Sequence, residues 1–488
     1  MKYQRTLLST AVAAAIAMPA VANANDPVFR TSGGGEYRTG DFHNHTVCSD
    51  GSTSVRTLTR KALTYHDWFI HVGHSGRGPR DCRVEDFLYQ SQGGGAFVGL
   101  WTNTLEPGSI KGDERFRDVD ITNADGSVIT QTVQDMWRWQ SLQEFNLEGI
   151  VEEREYPGND DKVAFLGLEW VVPGHEHSSD SIITGQYDDV PKSDAIAQFE
   201  YCFARNSDDT SGGGGQGWTC ELSEEDNNKL IELFDGRSEQ GTADYNSTLV
   251  DGINIDDDGQ HVKAAASVLW REAHFPGESF SVAAHIERQG GFVPGSNRGW
   301  NVEQVRDLHT LAPDVAIGME TQPGHQAQSN RGSYSGTRPT AGFFTYGGTG
   351  AYGAAEISRP GLDFDGNPID PATTPECQAD GVECSSTIER NVLSRPGIRT
   401  MWDALLSEGR HYWFFGSSDW HNRGSFGPLD FESTNDFWPG EYQDNFVYVV
   451  DNNPDNPAQD VVDGLRSGNV WVVQGQLIDR LAFQACSR

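Results

Sequence analysis

Asp41-Phe42-His43-Asn44-His45-Thr46-Val47-Cys48-Ser49-Asp50-Gly51 is the stretch around which the chain is organised. On a β-strand, residues two apart project from the same face. His43 and His45 therefore present two imidazoles side by side, while Phe42 and Asn44 point away. The Ser49-Asp50-Gly51 turn lets the chain fold back and bring a hard carboxylate oxygen toward the same ion. Two histidines separated by one residue are unremarkable alone; the weight comes from what recurs downstream.

Val55, Leu58, Ala62 and Leu63 recur at helical spacing behind Ser52 and Thr53, residues suited to capping a helix. Trp68-Phe69-Ile70-His71-Val72-Gly73-His74 reads as a buried strand that ends on His74, completing a strand-helix-strand unit. His71 has the opposite parity and is expected to face a covering helix. A helix is expected around Met136 to Leu147, its Trp137 and Trp139 belonging to the core. Val163 to Trp170 is a further buried strand closing on Glu169, a carboxylate that needs a partner when buried. Gly174-His175-Glu176-His177 follows, then a strand from Ser181 to Thr184. Ser281 to His285 again ends on histidine, and Val315 to Met319 runs to Glu320. Tyr412 to Gly416 leads into Ser417-Ser418-Asp419-Trp420-His421, which repeats the two-residue spacing of the opening motif.

The composition narrows the setting. A formal charge of −35 argues against nucleic acid or an anionic membrane as partner, since either needs a basic patch. Lys2 and Arg5, the apolar run from Leu7 to Ala20 and the small-residue site Ala22-Asn23-Ala24 read as a secretory signal peptide over residues 1–24. With a mean hydropathy of −0.55 and no second apolar run, an exported, periplasmic or secreted protein without a membrane span is expected. Seven cysteines then suggest disulfides. Cys202 with Cys220 and Cys377 with Cys384 bracket turn-rich loops; a bridge between Cys48 and Cys82 is a weaker expectation and would leave Cys486 over. The acidic, glycine-rich stretch after Gln186 lacks the spacing of a complete calcium-binding loop and reads as solvated surface.

Histidine or acid thus closes five separate strand ends: His43 with His45, His74, Glu169, His285, and Asp419 with His421. This matches a barrel whose site is assembled from the carboxyl ends of several strands. Nitrogen and oxygen donors without cysteine suit zinc, manganese or iron, and the ligands outnumber those that one ion requires.

The chain here resembles the PHP (polymerase and histidinol phosphatase) superfamily. The opening His-x-His-Thr-x-x-Ser-Asp-Gly stands as His43 to Gly51, the strand-end histidine as Val72-Gly73-His74, and Gly-x-Glu as Gly167-Leu168-Glu169. Ala-His stands as Ala284-His285, and the closing motif as Ser417-Ser418-Asp419-Trp420-His421. The resemblance implies an α/β fold, a distorted (β/α)7 barrel over residues 25–488 with insertions at about 88–162, 186–280 and 322–396. It implies a centre of two or three divalent ions that hydrolyses phosphoesters of small substrates. By position, the metal ligands would be His43, His45, Asp50, His74, Glu169, His285, Asp419 and His421, with Glu169 bridging. A further histidine is His177 or His175; His177 is favoured because it lies closer to the following strand. Glu169, Asp419 and His421 would be the catalytic core. Gly73 departs from the family's aspartate, which leaves the orientation of His74 open. Arg77, Arg80, Arg288, Arg298 and Arg423 follow ligand positions, where a guanidinium can grip phosphate in bidentate fashion. The alternatives are an exported, non-catalytic binder of metal or phosphate ligands, and a metal-dependent hydrolase of amides or carboxylic esters.

Overall fold

The computed structural model describes residues 34–51, 53–83, 100–101, 105–122, 125–173, 175–187, 194–205, 209–218, 220–234, 260–284, 300, 302–323, 401–421, 437–474, 478 and 481. Within them the chain is a mixed α/β structure. Its strands are β1 (Glu36–Asp41), β2 (Trp68–His71), β3 (Arg77–Gly78), β4 (Phe116–Thr122), β5 (Val128–Gln134), β6 (Met136–Trp137), β7 (Val163–Leu166), β8 (Leu168–Val171), β9 (His177–Ile182), β10 (Ser279–Ala283), β11 (Ala316–Pro323), β12 (Trp413–Ser417), β13 (Gln443–Val449) and β14 (Val470–Gln474). They form two five-stranded sheets, in the orders β14-β13-β1-β2-β7 and β12-β11-β10-β9-β8, with two-stranded ribbons β3-β6 and β4-β5.

The helices follow from sequence in the expected manner. Ser54 caps helix Val55–Tyr65 by accepting from the Thr57 amide at 3.2 Å, and Val55, Leu58, Thr59, Ala62 and Leu63 form its buried stripe. Helix Pro457–Ser467 starts with proline in its first turn and stops at Gly468, whose φ of 70° is the left-handed conformation that glycine adopts without strain.

One expectation is corrected. The apolar run from Val163 to Trp170 is not one strand: β7 and β8 belong to different sheets, with Gly167 at the break. Any Cβ there would stand 2.5 Å from the Asp180 carbonyl oxygen and 2.7 Å from a Val72 methyl, so only glycine lets the chain cross between sheets at this point. The strands are of mixed direction: β9 runs antiparallel to both β8 and β10, and β13 antiparallel to β1 and β14. The helix expected around Met136 to Leu147 is present for most of that span: after the short strand β6 the chain is helical from Arg138 to Arg154, with a wide π-turn at Leu142–Asn146, and Trp137 and Trp139 are buried.

Helices inside the stretches expected as insertions pack against both sheets. Helix Leu147–Arg154 packs on helix Val55–Tyr65 and on β7. In helix Gln260–His274, the buried Arg271 pairs with the buried Asp180 of β9. Nearly all of the 322–396 stretch lies outside the described residues.

The two sheets meet along two seams. At one, the Gly167 amide donates to the His71 carbonyl (2.8 Å) and the Glu169 amide to the Gly73 carbonyl (2.9 Å). At the other, Asn445 of β13 accepts from the Gly416 amide (2.9 Å) and donates to the Gly416 carbonyl (2.7 Å) and the Gly40 carbonyl (3.3 Å). Ser418 adds to this seam, its amide and hydroxyl donating to the buried Asp41 carboxylate at 2.9 and 2.7 Å. Between the sheets, Phe42 meets Phe280 and Phe415 edge-on, with ring centroids 6.1 and 5.5 Å apart. This apolar floor lies directly under His43.

Asn445→Ala removes both backbone connections at its seam and leaves buried carbonyls and an amide without their partner. Stability should fall by about 2 kcal/mol or more, read as a lower urea midpoint at unchanged slope. An unchanged midpoint would mean that the seam is held elsewhere.

Candidate metal centre

Glu169 is the centre of the site. It is fully buried on β8, and four imidazoles converge on its carboxylate. His43 Nε2 lies 3.1 Å from Oε1, His45 Nε2 3.2 Å from Oε2 and His74 Nδ1 2.7 Å from Oε2, while His177 Nδ1 is in close contact with Oε1. Burial alone would raise the Glu169 carboxyl, but the imidazoles of His177, His74, His43 and His45 outweigh it and hold the group well below the usual 4.5.

The four imidazoles arrive on three segments: after β1, after β2 and at the start of β9. His43 and His45 follow β1, on one face as strand parity requires; the His45 amide donates to the Trp420 carbonyl at 2.7 Å, fixing this segment beside Asp419. Asp419 Oδ1 lies 3.4 Å from His43 Nε2, 3.2 Å from His45 Nε2 and 3.3 Å from His421 Nδ1. Asp419 is buried with φ of 42°, an unusual backbone conformation for a residue other than glycine and of the kind that gathers at functional sites. Asp50 closes the group, its oxygens 3.3 Å from His45 Nδ1, 3.4 Å from His74 Nε2 and 3.2 Å from His421 Nε2. The His45 and His421 rings stack at 3.7 Å.

His74 is held through its backbone. Arg138 Nε donates to the His74 carbonyl at 2.9 Å, and the next loop is fastened where the Gly76 amide donates to Glu200 at 3.0 Å. Burial pushes the Glu200 carboxyl up to about 7. A Cys48–Cys82 disulfide ties the Asp50 turn to the loop beyond Arg77, and a Cys202–Cys220 disulfide is present as well. Cys377, Cys384 and Cys486 lie outside the described residues, as do His285, Arg288, Arg298 and Arg423.

His175 turns away from this group. It stacks on Trp300 at 4.4 Å, and its Nε2 lies 2.9 Å from His261 Nδ1, which in turn approaches Asp307. His71 is also outside the cluster, with Nδ1 2.9 Å from the Asn44 side-chain oxygen. Arg77 is committed to Asp135 and lies over the Trp137 ring; Arg80 Nη1 donates to the Gly51 carbonyl at 3.2 Å, beside the Asp50 turn. Glu320, which is not among the expected ligands, follows the apolar run Val315 to Met319 and stands inside β11 rather than at its end. Its carboxylate lies 2.8 and 3.0 Å from His43 Nδ1. The rule that singled out the other residues closing apolar runs applies to it equally.

The donor set fits metal ions. Three groups each bring their ligand atoms within 4.8 Å of one another: His45, Asp50, His74 and His421; His43, His45 and Glu169; and His74, Glu169 and His177. His43 Nε2 and His45 Nε2 point at each other across 3.3 Å, a juxtaposition that a shared cation resolves. Four carboxylates, Asp50, Glu169, Glu320 and Asp419, gather around imidazoles, so two divalent charges would balance them. Identity and number of ions are not fixed by these residues. Among the described residues no helix is long and apolar enough to cross a membrane.

The protonation states set the pH dependence. Burial would lower His43, but Glu320, Glu169 and Asp419 overcome it and hold His43 well above its ordinary 6.5. His45 goes the other way, its burial together with the nearby His74 outweighing Glu169 and holding it well below 6.5. His45 therefore meets a cation with its lone pair free, whereas a cation must displace a proton from His43. In the metal-free fold the raised His43 contributes stability below pH 6.5 that is lost as pH rises through its folded value. Zinc affinity should accordingly increase with pH throughout the range below the raised folded value of His43, by about tenfold per unit for one displaced proton, measured by chelator competition. A flat profile from pH 6 to 8 would contradict the assignment of His43 as a ligand. No protein-family model, curated protein or solved structure matches the chain, so the chemistry of these residues carries the functional inference.

Proposed function

We propose that the chain is a metal-dependent hydrolase of phosphoester bonds, built as a distorted (β/α)7 barrel of the PHP type with two or three divalent ions at Glu169. The observation that carries this reading is one buried carboxylate contacted by four imidazoles from three separate segments of the chain. A structural ion pair needs one partner; a carboxylate ringed in this way is suited to bridging cations and setting their spacing. Bound there, such ions would supply Lewis acidity toward a phosphoryl oxygen and make a coordinated water more acidic.

The chain's own residues divide the remaining work. His43, His45 and Glu169 would hold one ion, His74, Glu169 and His177 would hold another, and His45, Asp50, His74 and His421 form a third group able to do so. Asp419 keeps a hard oxygen against His43, His45 and His421, and its backbone conformation fixes that oxygen's direction. The side chains of Asp50 and His74 are 28% and 23% exposed while the others are nearly closed off, so substrate enters on that side. Arg80, anchored beside the Asp50 turn, is better placed to grip a phosphate than Arg77, which is occupied by Asp135.

The test is Glu169→Gln, which keeps the side chain's volume and removes its charge. Purified protein loaded with Mn²⁺ or Zn²⁺ is assayed on phosphomonoester, phosphodiester and carboxylic ester substrates. Wild type should turn over a phosphoester, and the variant should lose at least ~10²-fold with its fold retained. Wild-type activity on the carboxylic ester alone, or a variant within about twofold of wild type, would overturn the proposal.

A further inference from the structure

We infer that Glu320 is a positioning residue for this centre, holding His43 from behind so that Nε2 is the atom presented to a metal ion. The inference rests on the metal-centre reading above. Glu320 is fully buried on β11, between β10 and β12, and belongs to none of the three candidate ligand groups. Both of its oxygens face one atom, His43 Nδ1, at 2.8 and 3.0 Å, and the Ser179 hydroxyl lies 3.5 Å from Oε2. The far side of the same ring, Nε2, faces Glu169, Asp419 and His45 at 3.1, 3.4 and 3.3 Å.

An imidazole in this place has two neutral tautomers, and they are not equivalent. With the proton on Nδ1 the ring donates to Glu320 and offers the Nε2 lone pair to the cleft. With the proton on Nε2 a lone pair would face the buried carboxylate, which is repulsive, and the cleft would meet an N–H that cannot ligate. A carboxylate behind a histidine ligand thus selects the ligating tautomer, fixes the ring plane and strengthens the donor nitrogen. His421 obtains a similar but uncharged restraint, its Nδ1 lying 2.8 Å from the Asp419 carbonyl oxygen. For His43 the restraint carries a full negative charge, contributed by a strand that supplies no member of the candidate ligand groups.

The experiment compares wild type, Glu320→Gln and Glu320→Leu for Zn²⁺ affinity by chelator competition, and for the visible absorption of the Co²⁺ form, which reports ligand geometry apart from turnover. Glu320→Gln keeps the volume and one acceptor oxygen; Glu320→Leu removes both charge and acceptor. Affinity should fall about 10- to 100-fold, more for Leu than for Gln, and the Co²⁺ spectrum should shift. Should the Leu variant fail to fold, the Gln variant decides. Folded variants that are less stable but bind Zn²⁺ as wild type does, with an unaltered spectrum, would make Glu320 purely structural and overturn the inference while leaving the centre intact. Wild type that binds no Zn²⁺ would overturn the centre and this role with it.

Discussion

A carboxylate with no access to water is the constraint on which the rest of the structure depends. Glu169 could not remain ionised in the interior without compensation, because moving a charge out of water is costly unless it is paired and hydrogen-bonded. The compensation comes from His43, His45, His74 and His177, carried on three segments separated in sequence. Bringing them within hydrogen-bonding distance requires both sheets to end at one place. The break at Gly167, the Asn445 seam and the Phe42 floor all serve that convergence.

The same convergence works against stability. Acidic and imidazole groups crowd a region where apolar packing would otherwise be found, and Asp419 takes a left-handed backbone conformation within it. Such features persist only when the surroundings over-determine them. Here the surroundings are dense: Phe42, Phe280 and Phe415 below, the Cys48–Cys82 bridge beside the Asp50 turn, and Arg138 on the His74 carbonyl. Crowded donors with few apolar contacts among themselves are the signature of a site kept for chemistry.

Much of the site was legible in the sequence, for a local reason. Strand parity fixes that His43 and His45 share a face, and a polar residue closing an apolar run marks a strand end. What sequence could not supply was identity across the fold. Val163 to Trp170 reads as one strand by hydrophobicity, and nothing in that run says that Gly167 passes between sheets; the Asp180 carbonyl that forbids a side chain there comes from β9. His177 is favoured over His175 by its nearness to the following strand, and it does open β9; what the sequence does not show is that Trp300 and His261, remote in sequence, draw His175 aside. Likewise Glu320 closes an apolar run as visibly as Glu169 does, but its partner His43 is 277 residues away. The π-turn at Leu142–Asn146 within its helix is not legible either, since its spacing departs from the 3.6-residue period.

The most direct measurement is anomalous diffraction from crystals of the protein grown with Mn²⁺ or Zn²⁺. Two or more peaks should flank the Glu169 carboxylate, about 3.5–4 Å apart, each with imidazoles from the His43, His45, His74 and His177 set around it. Crystals with a single peak away from Glu169, or with none at saturating metal, would contradict a bridged centre and remove the basis for the proposed chemistry.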